Sequence, residues 1–149
     1  MGLHVTAYSE LVPGRKDSEL NITESMIAHS NSFGKRCALS EGRYDYKAFH
    51  DFPAGTYGGY NRFRDQLARA AGYESADSVW ENNLKGPLSE LINFSDCYGV
   101  LDSATSEKLA GDFNVVSTQK IEDIRFMRVF NDFHKAFALA ADGGCVVFS

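Results

Sequence analysis

The segment "IEDIRFMRVFNDFHKAFALAADGG", residues 121–144, repeats large apolar side chains at helical spacing. Phe126, Val129, Phe130, Phe133, Phe137 and Ala140 recur at steps of three and four, along one face of an α-helix. Four of these six are phenylalanines. Each ring buries roughly 150–250 Å² when covered, so such a stripe forces the rest of the chain to supply a broad apolar partner. The spacing predicts a helix from Ile121 to Ala141, broken by Asp142, Gly143 and Gly144.

Strands supply the natural partner. "CVVF" closes the chain as a short apolar run, and "LHVTAYSEL" alternates so that Leu3, Val5 and Ala7 face one way. These terminal strands are expected to pair. "VPGRKDSE" reads as a turn-rich break. "NITESMIAHSNSFG" is either a short helix or an irregular excursion, because Ser and Asn compete for backbone hydrogen bonds. "RCALSEGRYDYKAFHDF" reads as one or two short strands around Glu41 and Gly42, closed by Pro53.

From Tyr60 the period becomes helical. Tyr60, Phe63, Leu67 and Ala71 share a face; Gly72 suits a left-handed stop, and Tyr73 can pack back on the helix. "SADSVWEN" gives another turn or two. Pro87 suits a first helical position, with Leu88, Leu91 and Ile92 as the buried stripe and Gly99 as the end. Asp102 or Ser103 caps the next helix. The expected fold is α+β: one domain over residues 1–149, mostly helical. Helices should cover one side of a small antiparallel sheet that holds the N- and C-terminal strands.

A chain of 149 residues buries about two-thirds of its unfolded surface, enough for a core without staples. Its formal net charge of −5 argues against duplex nucleic acid, which needs a basic face to displace counterions. A small phosphorylated ligand held by two or three arginines stays open. Cys37, Cys97 and Cys145 have no CxxC spacing, so free thiols in a reducing cytoplasm are expected. "MGLHVTAYSE" lacks the basic and apolar regions of a signal peptide, and no apolar run approaches the ~20 residues of a membrane span. Abundant rings allow a homo-oligomer, since aromatic patches often close interfaces.

Catalytic signatures are sparse. "HVT" at residues 4–6 is half of a two-histidine phosphoesterase signature, but "HSN", "HDF" and "HKA" do not supply the second half. His134 lies among helical phenylalanines. "NFSDCYGVLD" offers Asn93, Ser95 and Asp96 as calcium oxygens, yet its fifth and sixth positions are Cys97 and Tyr98, so no metal site is expected. No cofactor motif is present.

"AGTYGGY", at the start of the Tyr60 helix, is the segment that invites a ligand. Helix N-termini leave N–H groups unpaired, and Gly58 and Gly59 let an anion approach them. Tyr57 and Tyr60 offer ring faces for a base, Arg62 and Arg64 can hold phosphate, and Asn61 can read a polar edge. Asn93 and Asp96 are expected to contribute from a neighbouring helix end. The alternative reading is a Gly-Gly corner whose tyrosines close the core. "GTYGG" matches no established phosphate loop.

Several segments together resemble a family of small proteins encoded by bacteriophages and prophage-bearing bacteria: "MGLHVTAYSE", "AGTYGGYNRFRDQLARAAGY", "GPLSELINFSDCYGV", "SEKLAGDF" and "FNDFHKAFALAADGGCVVF". The family often has tryptophan where this chain has Phe63, an acidic residue where Tyr98 stands, and a longer insertion before the Tyr/Gly segment. The resemblance implies a context, the cytoplasm of a bacterial host, where small phage proteins often act by binding. The leading expectation is an anti-defence protein that sequesters a nucleotide-derived immune signal. A second reading is a protein–protein inhibitor of a host defence or metabolic enzyme. A third is a hydrolase using His4 or His50 with Asp96 or Glu90.

Overall fold

A computed structural model describes residues 2–149, and it is an α+β domain. Strand β1 (Gly2–Tyr8) buries Leu3, Val5 and Ala7, as its alternation requires. It lies inside an antiparallel sheet of order β5-β1-β7-β6, formed with β5 (Phe49–Thr56), β6 (Gly99–Asp102) and β7 (Cys145–Phe148). The chain termini therefore pair, with Val5 opposite Phe148 and Ala7 opposite Val146. Gly144 permits the tight entry to β7, since a Cβ there would stand 1.7 Å from the Tyr8 carbonyl oxygen.

On one face of this sheet lie α2 (Tyr57–Ala70), α5 (Ser103–Val115) and α6 (Ile124–Ala140). The α6 stripe is buried from Phe126 to Ala140, and Phe133 is its hub. That ring meets Phe52 edge-on at 5.0 Å and stacks on Phe63 at 5.6 Å between centroids. Tyr60, Phe137 and Phe148 complete its surroundings.

The expectation that helices cover one side is incomplete. Helix α1 (Glu24–Asn31) and a second sheet, of order β2-β4-β3, cover part of the opposite face. That sheet joins β2 (Val12–Pro13), β3 (Leu20–Ile22) and β4 (Gly42–Asp45). Leu20, Ile22, Met26 and Cys37 pack there against Val100 and Cys145. Strand β7 is consequently buried on both faces, which accounts for its unbroken apolar run. Thr23 resolves the ambiguity over α1 by capping it, its side chain accepting from Met26 N–H.

Two boundaries also differ from expectation. Pro53 does not close a strand; β5 runs through it to Thr56. Strand β5 is a sheet edge, and Pro53 faces His4 where the pairing register shifts, positions that tolerate a missing N–H. Pro87 does not start a helix, because Leu88 takes a left-handed φ of 62° and only Ser89–Ile92 (α4) is helical. The side chain of Leu88 is fully buried and its N–H donates to Asp112, which fixes that backbone. Gly99 opens β6 instead of ending a helix.

Helix α2 ends as its sequence predicts. Gly72 has φ 99°, Tyr73 N–H donates to Ala68 C=O, and Gly72 N–H donates to Arg69 C=O, a Schellman closure. The short helix α3 (Ala76–Glu81) is tied to α2 by Asp65, whose carboxylate accepts from Ala76 N–H and Arg69 Nε. The Ala76 N–H, and after it the Arg69 guanidinium, hold the Asp65 carboxyl below its usual range. A depressed folded-state pKa contributes stability above the ordinary carboxylate value, and that contribution is lost as pH falls through the lower value. Asp65→Asn is expected to flatten the acid limb of the melting-temperature curve below about pH 4. The side chain is 40% exposed, so screening limits the effect to under about 1 kcal/mol.

Candidate functional site

Strand β5 passes into α2 without a loop. Thr56 is the last strand residue and also the N-cap, its hydroxyl accepting from Gly59 N–H at 3.0 Å. The first turn of α2 is therefore held at the sheet edge beside the first turn of α6, where Asp123 caps Arg125 and Phe126 N–H. Between the two helix starts lies a cleft of about 420 Å³. Gly59, Arg62 and Gln66 line it from α2, and Asp123, Arg125 and Arg128 from the start of α6.

Charge in this cleft is unbalanced. Arg62, Arg125 and Arg128 enter none of the ion pairs among the described residues. Among the described residues the only carboxylate lining the cleft, Asp123, is occupied by its capping bonds and by Gln66 Nε2 at 3.3 Å. Those bonds, the Phe126 N–H foremost, hold its carboxyl below the usual range, so it stays ionised and engaged. Helix N-termini carry partial positive charge, and here two of them flank the same hollow. The arrangement suits an anion.

The residues expected at a ligand site divide between different places. Gly59 and Arg62 line the cleft, and a Cβ at Gly58 would meet nothing within 4 Å. Tyr57 is 38% exposed and lines neither this cleft nor the hollow described next. Tyr60 corrects the expectation of base stacking: it is 0% exposed and packs on Phe63 and Phe133. Burial pushes its phenol upward. The alternative reading, tyrosines closing the core, is therefore right for Tyr60.

Arg64 does not join Arg62. Residues two apart on a helix point roughly 200° apart, and Arg64 turns inward until it is 5% exposed. Its Nη1 donates to the carbonyls of Ile92 (3.2 Å) and Phe94 (2.6 Å), and its Nη2 donates to Asn61 Oδ1. Asn61 is thus an internal partner of Arg64. The guanidinium lies over Tyr60 at 5.0 Å and over Trp80 at 4.8 Å. Trp80 Nε1 also donates to Ile92 C=O, and Arg36 Nη2 to Asn93 C=O. Side chains thereby take the carbonyls of Ile92, Asn93 and Phe94, which lets α4 end there.

Arg64 borders a second hollow of about 410 Å³, together with Trp80, Asn93 and Asp96. Three expected residues, Arg64, Asn93 and Asp96, therefore do come together, without the Tyr/Gly segment. Arg125 and Arg128 escaped the sequence reading because nothing in "IEDIRFMR" marks which polar side of α6 faces α2. Trp80 escaped it because its position follows from the fold of α3 onto α2.

The histidines find other partners than a hydrolase reading requires. His50 Nε2 lies 3.1 Å from Asp132, and His4 lies 3.6 Å from Asp51. Glu90 is bound by Lys108 at 2.7 Å. Neither Asp96 nor Glu90 meets a histidine through an ion pair among the described residues. Among the same residues no group of three His, Cys, Asp or Glu gathers closely enough for a metal ion. No helix among them is long and apolar enough to cross a membrane. No protein-family model matches the chain, and neither a curated protein nor a solved structure matches it.

Proposed function

We propose that the protein binds and sequesters a small phosphorylated ligand, a nucleotide-derived signal, in the cleft between α2 and α6. The observation that carries this reading is the set of unpaired guanidiniums, Arg62, Arg125 and Arg128, gathered beside two helix N-termini. Guanidinium forks match phosphate oxygens, and the backbone at Gly58 is approachable, since a Cβ there would meet nothing within 4 Å, whereas the Gly59 amide is held by its capping bond to Thr56. The ionisable groups of the cleft are these arginines and an engaged Asp123, a set built to hold an anion rather than to move its protons. With the phage-family resemblance, the reading becomes an anti-defence protein acting in the host bacterial cytoplasm. Binding without turnover suffices for that role.

Isothermal titration against cyclic dinucleotides, cyclic trinucleotides, ADP-ribose and inorganic pyrophosphate tests it. One equivalent of a phosphate-bearing ligand is expected to bind and to be recovered unchanged. Arg62→Ala and Arg128→Ala each remove a charge-assisted contact of about 1.5–3 kcal/mol, so each weakens binding about tenfold or more. Absence of heat with every one of these compounds refutes the proposal.

A further inference from the structure

The hollow on the other flank of α2 has a different chemistry. Its floor is the Arg64 guanidinium, fixed by two carbonyls and Asn61, with the Trp80 indole beside it. Trp80 is 36% exposed, and its Nε1 bond to Ile92 C=O locks the ring orientation. Phe33 and His29 add further ring surface. On the rim, the side chains of Asn93 and Asp96 take part in none of the hydrogen bonds or ion pairs among the described residues, although both line the hollow. His29 Nε2 is buried with no hydrogen-bond partner.

We infer that this hollow is a second binding site, and that its ligand is a guanine-type base. The charges exclude the simpler classes. A phosphate meets the free Asp96 carboxylate, and a cation meets the Arg64 guanidinium, so a neutral ligand is favoured. Ring walls select a planar one, because a heteroaromatic ring stacks on an oriented indole. A carboxylate accepts hydrogen bonds and donates none. Guanine presents two adjacent N–H donors to it, its ring N1–H and exocyclic N2–H, while its O6 can accept from the Asn93 amide. Adenine presents a ring nitrogen lone pair where guanine has N1–H, and is repelled.

This site goes beyond the α2/α6 cleft, and the two are tested by ligands that share nothing: guanosine has no phosphate, and pyrophosphate has no base. Trp80 is the only tryptophan in the chain, so indole fluorescence reports the hollow directly. Guanosine, titrated with excitation at the red edge of indole absorption, is expected to quench Trp80 saturably, and adenosine at least tenfold more weakly, roughly the discrimination of one bidentate pair. Asp96→Asn turns an acceptor into a mixed group and is expected to weaken guanosine binding by a similar factor. Asn93→Ala, losing the O6 contact, weakens it less. Among the described residues neither the Asp96 nor the Asn93 side chain supports another through a hydrogen bond, so both variants are expected to keep the wild-type melting temperature. The inference is overturned by an absence of saturable quenching with guanosine, by equal affinity for adenosine, or by full affinity in folded Asp96→Asn and Asn93→Ala.

Discussion

Arg64→Ala is expected to destabilise the protein by about 3–4 kcal/mol, as large a change as any non-core substitution here can produce. The Phe94 carbonyl and Asn61 Oδ1 both lose their Arg64 donor, while the Ile92 carbonyl keeps Trp80. The unsatisfied buried Phe94 carbonyl costs about 1–3 kcal/mol, the half-buried Asn61 Oδ1 less, and the loss of the cation over Tyr60 and Trp80 adds about 1–2 kcal/mol. For a chain of this length the melting temperature falls by roughly 10 °C. Arg64→Lys is expected to recover only part of the loss, since an ammonium cannot replace a planar fork that serves two carbonyls and lies over two rings. Urea denaturation of both variants measures this. A loss below about 1 kcal/mol for Arg64→Ala would show that the segment 92–94 is held by something other than this guanidinium.

Phe133→Ala is the counterpart in the core, expected to cost about 3–5 kcal/mol. Its ring touches the sheet through Phe52 and Phe148, α2 through Tyr60 and Phe63, and the next turn of its own helix through Phe137. Removing it opens a cavity that no neighbour can fill without abandoning its own stacking partner. Phe133→Leu keeps most of the volume and should cost less, below about 1.5 kcal/mol where the site repacks. The two predictions are linked, because Tyr60 lies between Phe133 at 5.9 Å and Arg64 at 5.0 Å. The double variant is accordingly expected to depart from additivity, as residues sharing a partner do.

How far the sequence reaches can be judged from these same residues. The α6 stripe is legible from spacing alone because every member packs inward, and the strand pairing of the termini follows from the need to cover that stripe. Gly72 and Asp102 are legible because capping chemistry is local. Pro87 and Gly99 mislead for the opposite reason: their surroundings are decided by Asp112, Arg64 and Trp80, residues at least 12 positions away from the segment they organise. The second sheet is hidden because β2 and β3 have only two and three residues, too short for an alternation to register.

At the candidate site, the sequence marks the start of α2 but not the geometry around it. Reading Arg62 and Arg64 as a pair ignores that a helix turns them apart, and the inward one becomes a strut while the outward one reaches the cleft. The partners of Arg62 come from the start of α6, more than 60 residues later, and only the packed fold joins them. Tyr60 follows the helical stripe to which its spacing assigns it, and packing takes precedence over recognition.

The most direct test of the proposed anion cleft is an amide-resolved NMR titration with inorganic pyrophosphate at constant ionic strength. Saturable shifts are expected at the N–H group of Gly58 and at the Nε–H of Arg62 and Arg128, with Asn93 and Asp96 unmoved. Shifts that never saturate, or that scatter evenly over the surface as with a matched concentration of chloride, would contradict a phosphate-binding cleft between α2 and α6.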